Sequence, residues 1–172
     1  MKHLFLILTL LTNHLLAYEF RGMVVKVSDG DTITVLDEGK VQHKIRMYGI
    51  DAPEKTQPYG TKSKEALSRR IADANNQVTV NVINTDRYGR LVAIVYPCYW
   101  HEMAGACTAT SSLNEDQIVY GLAWAYVSYL KKRDKEKYIL CENVARGINA
   151  GLWAMKNPTP PWKFRKSKRT KK

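Results

Sequence analysis

The sequence has little cysteine, few acidic residues and, beyond its first residues, no long apolar run. Three cysteines, Cys98, Cys107 and Cys141, occur in 172 residues, and no two stand as C-x-x-C. That absence argues against a zinc ribbon and against a dithiol redox motif. An odd count allows one intramolecular bridge at most, with three pairings open. Cys98 with Cys107 is the simplest, closing a short loop in an oxidising compartment. Asp and Glu number 16 against 27 Lys and Arg, leaving a net charge of +11. The excess of base points to a polyanionic partner: nucleic acid, an anionic membrane surface or an acidic polysaccharide. No stretch after residue 17 is long and apolar enough to span a bilayer. No internal repeat is present. What remains is a chain with 45% hydrophobic residues, enough for a folded core in one domain of moderate size.

The N-terminus has the layout of a secretory signal peptide. Met1-Lys2-His3 is a short basic start, Leu4 to Leu11 is apolar but for Thr9, and Leu15-Leu16-Ala17 offers cleavage after Ala17. The expectation is a signal peptide over 1–17 and a secreted or periplasmic product. Its charge is +10, because only Lys2 is lost. The alternative is an uncleaved anchor, since Leu15 is larger than the cleavage rule prefers.

Along the remainder, Tyr18 to Val27 reads as a strand and Ser28-Asp29-Gly30-Asp31 as a tight turn. Thr32 to Leu36 is a β-branched second strand, and Val41 to Gly49 a third. A helix is expected over about 62–75, from apolar positions Ala66, Leu67, Ile71 and Ala74. Gln77 to Val82 alternates strictly as a fourth strand, and Leu91 to Tyr96 is a fifth. Residues 97–112 read as an inserted loop. Ser112-Leu113-Asn114-Glu115 matches a capping box that starts a helix. Another helix spans about 134–148. Seven of the ten residues from Lys163 to Lys172 are Lys or Arg, and such a run is expected to be disordered. Five short strands with attached helices suggest an α+β fold built on a small closed barrel, of which the five-stranded OB-fold is the best-known type.

The chemistry gathers in three turns: Asp29 to Thr32, Asp51-Ala52-Pro53-Glu54 and Asp86 to Arg90. Pro53 ends its strand, because it cannot donate to the ladder, and leaves Asp51 and Glu54 where a strand opens into a stiff turn. With no Cys or His pair beside them, these carboxylates offer only oxygen, which selects Ca2+ or Mg2+ over zinc. Asp31 and Asp51 can each give one oxygen, and a main-chain carbonyl and water can complete the shell. Arginine suits a phosphate because it presents paired donors that lysine lacks.

In this order the turns resemble the staphylococcal nuclease (thermonuclease) family. The likeness runs from about Gly22 through Trp162. It also takes in Gln57-Pro58-Tyr59-Gly60, Gly121-Leu122-Ala123 and Gly151-Leu152-Trp153. The resemblance implies an OB-fold barrel with three helices over 18–162 and Ca2+-dependent hydrolysis of DNA and RNA by a monomer, leaving 3′-phosphate ends. It assigns one Ca2+ ion to the carboxylates of Asp31 and Asp51 and the backbone carbonyl of Ala52, with Asp29 in support. Glu54 becomes the general base, or at least orients the attacking water, and Arg46 and Arg90 grip the phosphate. Tyr88 lines the nucleotide site, and Tyr126 and Tyr129 are candidates for its rim. The 97–112 loop departs from the family and is expected to brace the barrel through a Cys98–Cys107 bridge. The tail from Lys163 lies beyond the likeness. Two other functions compete: a binding module that kept the barrel without catalysis, and a surface binder held by an uncleaved N-terminus.

Overall fold

The computed structural model describes residues 18–170. The expected signal peptide, like Lys171 and Lys172, lies outside them. The first three strands are β1 (Tyr18–Asp29), β2 (Thr32–Asp37) and β3 (Gln42–Met47), which pair as an antiparallel meander. A two-residue strand, β4 (Ile50–Asp51), follows, and then helix α1 (Gly60–Ala72). Strands β5 (Gln77–Thr85) and β6 (Leu91–Pro97) form the second hairpin. The sheet closes in the order β1-β2-β3-β6-β5, with β5 back on β1 and a parallel join between β3 and β6. This is the expected five-stranded barrel.

The strands form because β-branched residues alternate with polar ones, so that one face is apolar. Val78, Val80 and Val82 point inward and are buried, as are Ile33, Val35, Ile45 and Val95. Each buried Val or Ile contributes roughly 1.5–3 kcal/mol relative to an exposed side chain. Helix α1 adds Leu67 and Ile71, one turn apart, to the same core.

The expected loop after β6 is a small hairpin of β7 (Tyr99–His101) and β8 (Ala106–Thr108), closed by a Cys98–Cys107 disulfide. Cys141 is free. Helix α2 (Leu113–Val119) begins at Ser112, whose hydroxyl accepts from the Glu115 amide at 3.2 Å and donates to the Glu115 carboxylate at 2.9 Å. Strand β9 (Trp124–Ala125) pairs with β4, and helix α3 (Lys132–Gly147) packs on α2.

Two expectations need correction. The third strand does not run on to Gly49. It breaks after Met47, and Gly49 turns the chain at φ 73°. A Cβ there would come within 2.3 Å of the Leu130 side chain, so glycine is required twice over. The basic tail is not disordered over 163–169. Those residues belong to a fourth helix, α4 (Pro161–Arg169), which starts with Pro161 at its first position. The described residues therefore hold four α-helices rather than three. None is long and apolar enough to cross a membrane.

Candidate active site

The site is built at one end of the meander, where register decides which side chains meet. Thr32 and Arg46 are direct cross-strand partners in β2 and β3. That register brings the Arg46 guanidinium to Asp31, at 2.9 Å from Oδ2. Its other terminal nitrogen donates to Asp51 Oδ1 at 3.0 Å. One guanidinium thus joins two carboxylates that come from opposite ends of the β2–β4 segment. Both are buried, with side chains 8% and 1% exposed. Asp31 Oδ2 also accepts from the Ala52 amide at 2.7 Å, and Oδ1 from the Thr32 hydroxyl at 2.9 Å. The 51–52 peptide is thereby tied to the β1–β2 turn.

The turn itself is fixed from outside the barrel. Asp29 Oδ1 accepts from the Asp31 amide at 3.0 Å, beside an irregularity between Val27 and Asp29. Such bulges re-aim side chains next to functional sites. A Cβ on Gly30 would run into Ser63 Oγ at 1.8 Å, so α1 packs directly on the turn backbone. Gln117 of α2 donates to the Gly30 carbonyl at 2.7 Å and to Ser63 Oγ at 3.0 Å. Asn114 of α2 bonds the Tyr48 carbonyl at 2.9 Å and accepts from Val95 at 3.0 Å. These two buried amides position the site. The capping box that marks the start of this helix does not reveal them.

The electrostatics are those of acids crowded in a dry place. Burial, the charge of Asp31 and a side-chain hydrogen bond with it push the Asp29 carboxyl up to about 7. Burial also holds Asp51 above the ordinary carboxylate value, although Arg165 and Arg46 pull it down. A positive charge among them relieves both effects. Among the described residues no group of three or more His, Cys, Asp or Glu side chains is arranged to hold a metal ion. The donor set is nonetheless all oxygen, and Asp31 and Asp51 converge on one guanidinium. It fits a hard cation held by two side chains and completed by backbone and water oxygens, rather than a closed side-chain cage.

Glu54 stands at the rim, its side chain 40% exposed and its amide donating to Gln57 Oε1 at 2.9 Å. Its carboxylate meets a residue of the basic tail expected to be disordered. Arg165 of α4 donates to Glu54 Oε1 at 2.8 Å. It also donates to Asp51, at 3.1 Å to Oδ1 and 2.8 Å to Oδ2. The signals that could have found it are Pro160-Pro161 as a helix start and Trp162 as an apolar anchor ahead of the charges.

Arg90 and Tyr88 lie apart, in the turn between β5 and β6. Arg90 is held by Asp86, with Nε 2.8 Å from Oδ2, and packs against the Tyr88 ring at 5.6 Å. No hydrogen bond or ion pair joins either to the buried carboxylates among the described residues. Tyr126 and Tyr129 are neighbours, with ring centres 4.6 Å apart. Burial and Tyr129 hold the Tyr126 hydroxyl above its ordinary pKa, and Asp51 is near enough to add to the effect.

A closed five-stranded barrel carrying buried carboxylates bridged by a guanidinium, with a glutamate at the rim, defines a site of acids and arginines at one end of the barrel. The family model described as "Staphylococcal nuclease homologue" matches residues 44–155, well over half of the chain. The chain belongs to that family. It is 36% identical over 149 residues to a protein named micrococcal nuclease from Shigella flexneri, covering 87% of this chain and 82% of that one. It is 36% identical over 169 residues to a protein named an uncharacterized endonuclease from Escherichia coli O157:H7, covering 97% and 99%. A staphylococcal-like nuclease, CAN1, of Arabidopsis thaliana is 37% identical over 126 residues, 73% of this chain but 34% of its own length.

Proposed function

We propose that this chain is a Ca2+-dependent nuclease that hydrolyses phosphodiester bonds of DNA and RNA and leaves 3′-phosphate ends. It acts as a monomer, secreted or periplasmic. The observation that carries the proposal is Arg46 bridging buried Asp31 and Asp51, with Glu54 three residues further along the same turn. Family membership and the printed names of the relatives support it. So does the net charge of +11, which favours a polyanion.

Asp31, Asp51 and the Ala52 carbonyl would hold the cation. When bound it would supply Lewis-acid stabilisation of the phosphate and hold the substrate in place. The chain's own residues do the rest. Arg46, fixed on its strand, donates to phosphate oxygens as negative charge builds on them. Arg90 does the same from its turn once substrate brings the phosphate within reach. Glu54 accepts a proton from the attacking water, which bonds to phosphorus. The bond to the 5′ oxygen breaks, and that oxygen takes up a proton and leaves as a hydroxyl. Tyr88, with Tyr126 and Tyr129, flanks the nucleotide.

Digestion of single-stranded DNA and of RNA by the full chain, with Ca2+ and with a chelator, tests the proposal when the product ends are identified. Ca2+-dependent cutting to 3′-phosphates is expected. Binding without cutting would move the chain to the class of binding modules.

A further inference from the structure

Helix α4 brings a positive charge to the two carboxylates that the chemistry needs free. Arg165 sets both terminal nitrogens on Asp51 and one of them on Glu54. These are charge-assisted bonds, and the pair on Asp51 is bidentate. The guanidinium therefore engages the carboxylate oxygens that would serve the cation and the water proton. Trp162, one turn earlier, lies flat on Tyr126, with ring centres 5.2 Å apart and planes 3° from parallel. It also meets Trp124 edge-on at 6.4 Å. The indole covers a ring that a base would otherwise stack on. The arm is pinned at both ends: Gln57 Nε2 donates to the Thr159 carbonyl at 3.0 Å, and Lys168 Nζ to Thr56 Oγ1 at 2.9 Å. It lies beyond the residues matched by the family model.

We propose that α4 is an autoinhibitory strap, in which Arg165 occupies the cation and proton-acceptor positions of Asp51 and Glu54 while Trp162 occupies the Tyr126 stacking face. This rests on the nuclease reading of the same site. Cation and strap compete for Asp51, because Arg165 engages both of its oxygens and Arg46 already holds Oδ1. The strap also carries its own release. Lys163, Lys166, Lys168 and Arg169 give α4 a basic surface with no acidic residue, so a nucleic-acid backbone competes for the helix that covers the site. Substrate and cation together open it, and the free enzyme rests closed.

The test is calorimetric titration of the full chain with CaCl2, without nucleic acid, alongside cleavage at limiting and saturating Ca2+. Arg165→Ala should bind Ca2+ about tenfold more tightly, because the binding-competent fraction no longer taxes the affinity. Its cleavage rate should rise by a similar factor at limiting Ca2+ and match the parent at saturation. Lys166→Ala removes an equal charge from the same helix without touching the carboxylates, and should shift affinity by less than about twofold. Trp162→Ala should loosen the strap and move both readouts in the direction of Arg165→Ala. Unchanged Ca2+ affinity in Arg165→Ala overturns the strap. So does an equal shift in Lys166→Ala. Unchanged affinity with activity lost at every Ca2+ concentration would make Arg165 a phosphate-gripping residue instead. If parent and variant bind no Ca2+ and cut nothing at saturation, the nuclease reading fails and the strap with it. If both cut, and do so alike at limiting Ca2+ as well as at saturation, the strap alone fails.

Discussion

Arg46 and Arg90 are expected to do one job, yet the fold holds them by opposite means. Arg46 sits inside a barrel strand, its side chain 16% exposed, between two buried carboxylates. Arg90 sits in a turn, tied to Asp86 four residues away and to nothing deeper among the described ion pairs. The first arginine is part of the balance of buried charge that lets the barrel end close. The second is a local fitting on a finished scaffold. Removing Arg90 should therefore leave stability nearly intact, and removing Arg46 should not.

The largest effect should come from breaking the inner pair. Arg46→Ala leaves Asp31 and Asp51 without their shared partner and should cost about 3 kcal/mol of stability, together with a loss of turnover of roughly a thousandfold. Arg90→Ala should lose turnover by a similar factor and less than about 1 kcal/mol of stability. Urea unfolding beside cleavage kinetics measures both. Equal destabilisation by the two variants would end the distinction. Glu54→Gln sharpens it from the other side. Glu54 is at the rim, so turnover should fall by roughly 10²–10⁴ while the unfolding midpoint and DNA binding stay put. Near-full activity would take Glu54 out of the mechanism.

How far each region could be read in advance follows the same division. Asp31, Asp51 and Arg46 were legible because short strands and tight turns fix position locally, and a strand register follows from alternation. The barrel was legible for that reason. The β4–β9 pair was not, since two residues carry no periodicity and form only because Gly49 turns the chain. Asn114 and Gln117 look like the polar face of a helix, and only tertiary packing shows that they face inward. The basic arm misled because like charges in a row normally repel and stay solvated. Here Asp51 and Glu54 offset that repulsion, from more than a hundred residues away in sequence.

The smaller predictions concern the outer turn alone. Asp86→Asn should loosen Arg90 and lower turnover by about tenfold, an effect of misplaced geometry rather than a lost group. Near-parent turnover would mean that Asp86 does not set the reach of Arg90.

The smallest effect is on stability, and its sign can be worked out. Burial pushes the Asp86 carboxyl up, but hydrogen bonds from the Arg90 amide and guanidinium and from the Tyr88 amide outweigh it and hold the group below its ordinary value of 3.8. A carboxyl depressed in the fold stabilises it above the unfolded-state pKa and loses that contribution as pH falls through the folded one. Thermal unfolding of the parent and of Asp86→Asn should therefore differ most at neutral pH, by less than about 1 kcal/mol. The difference should shrink as the pH drops below about 4. A difference that persists in acid would mean that the side chain holds the turn by shape, with the charge on Asp86 contributing nothing to how Arg90 is presented.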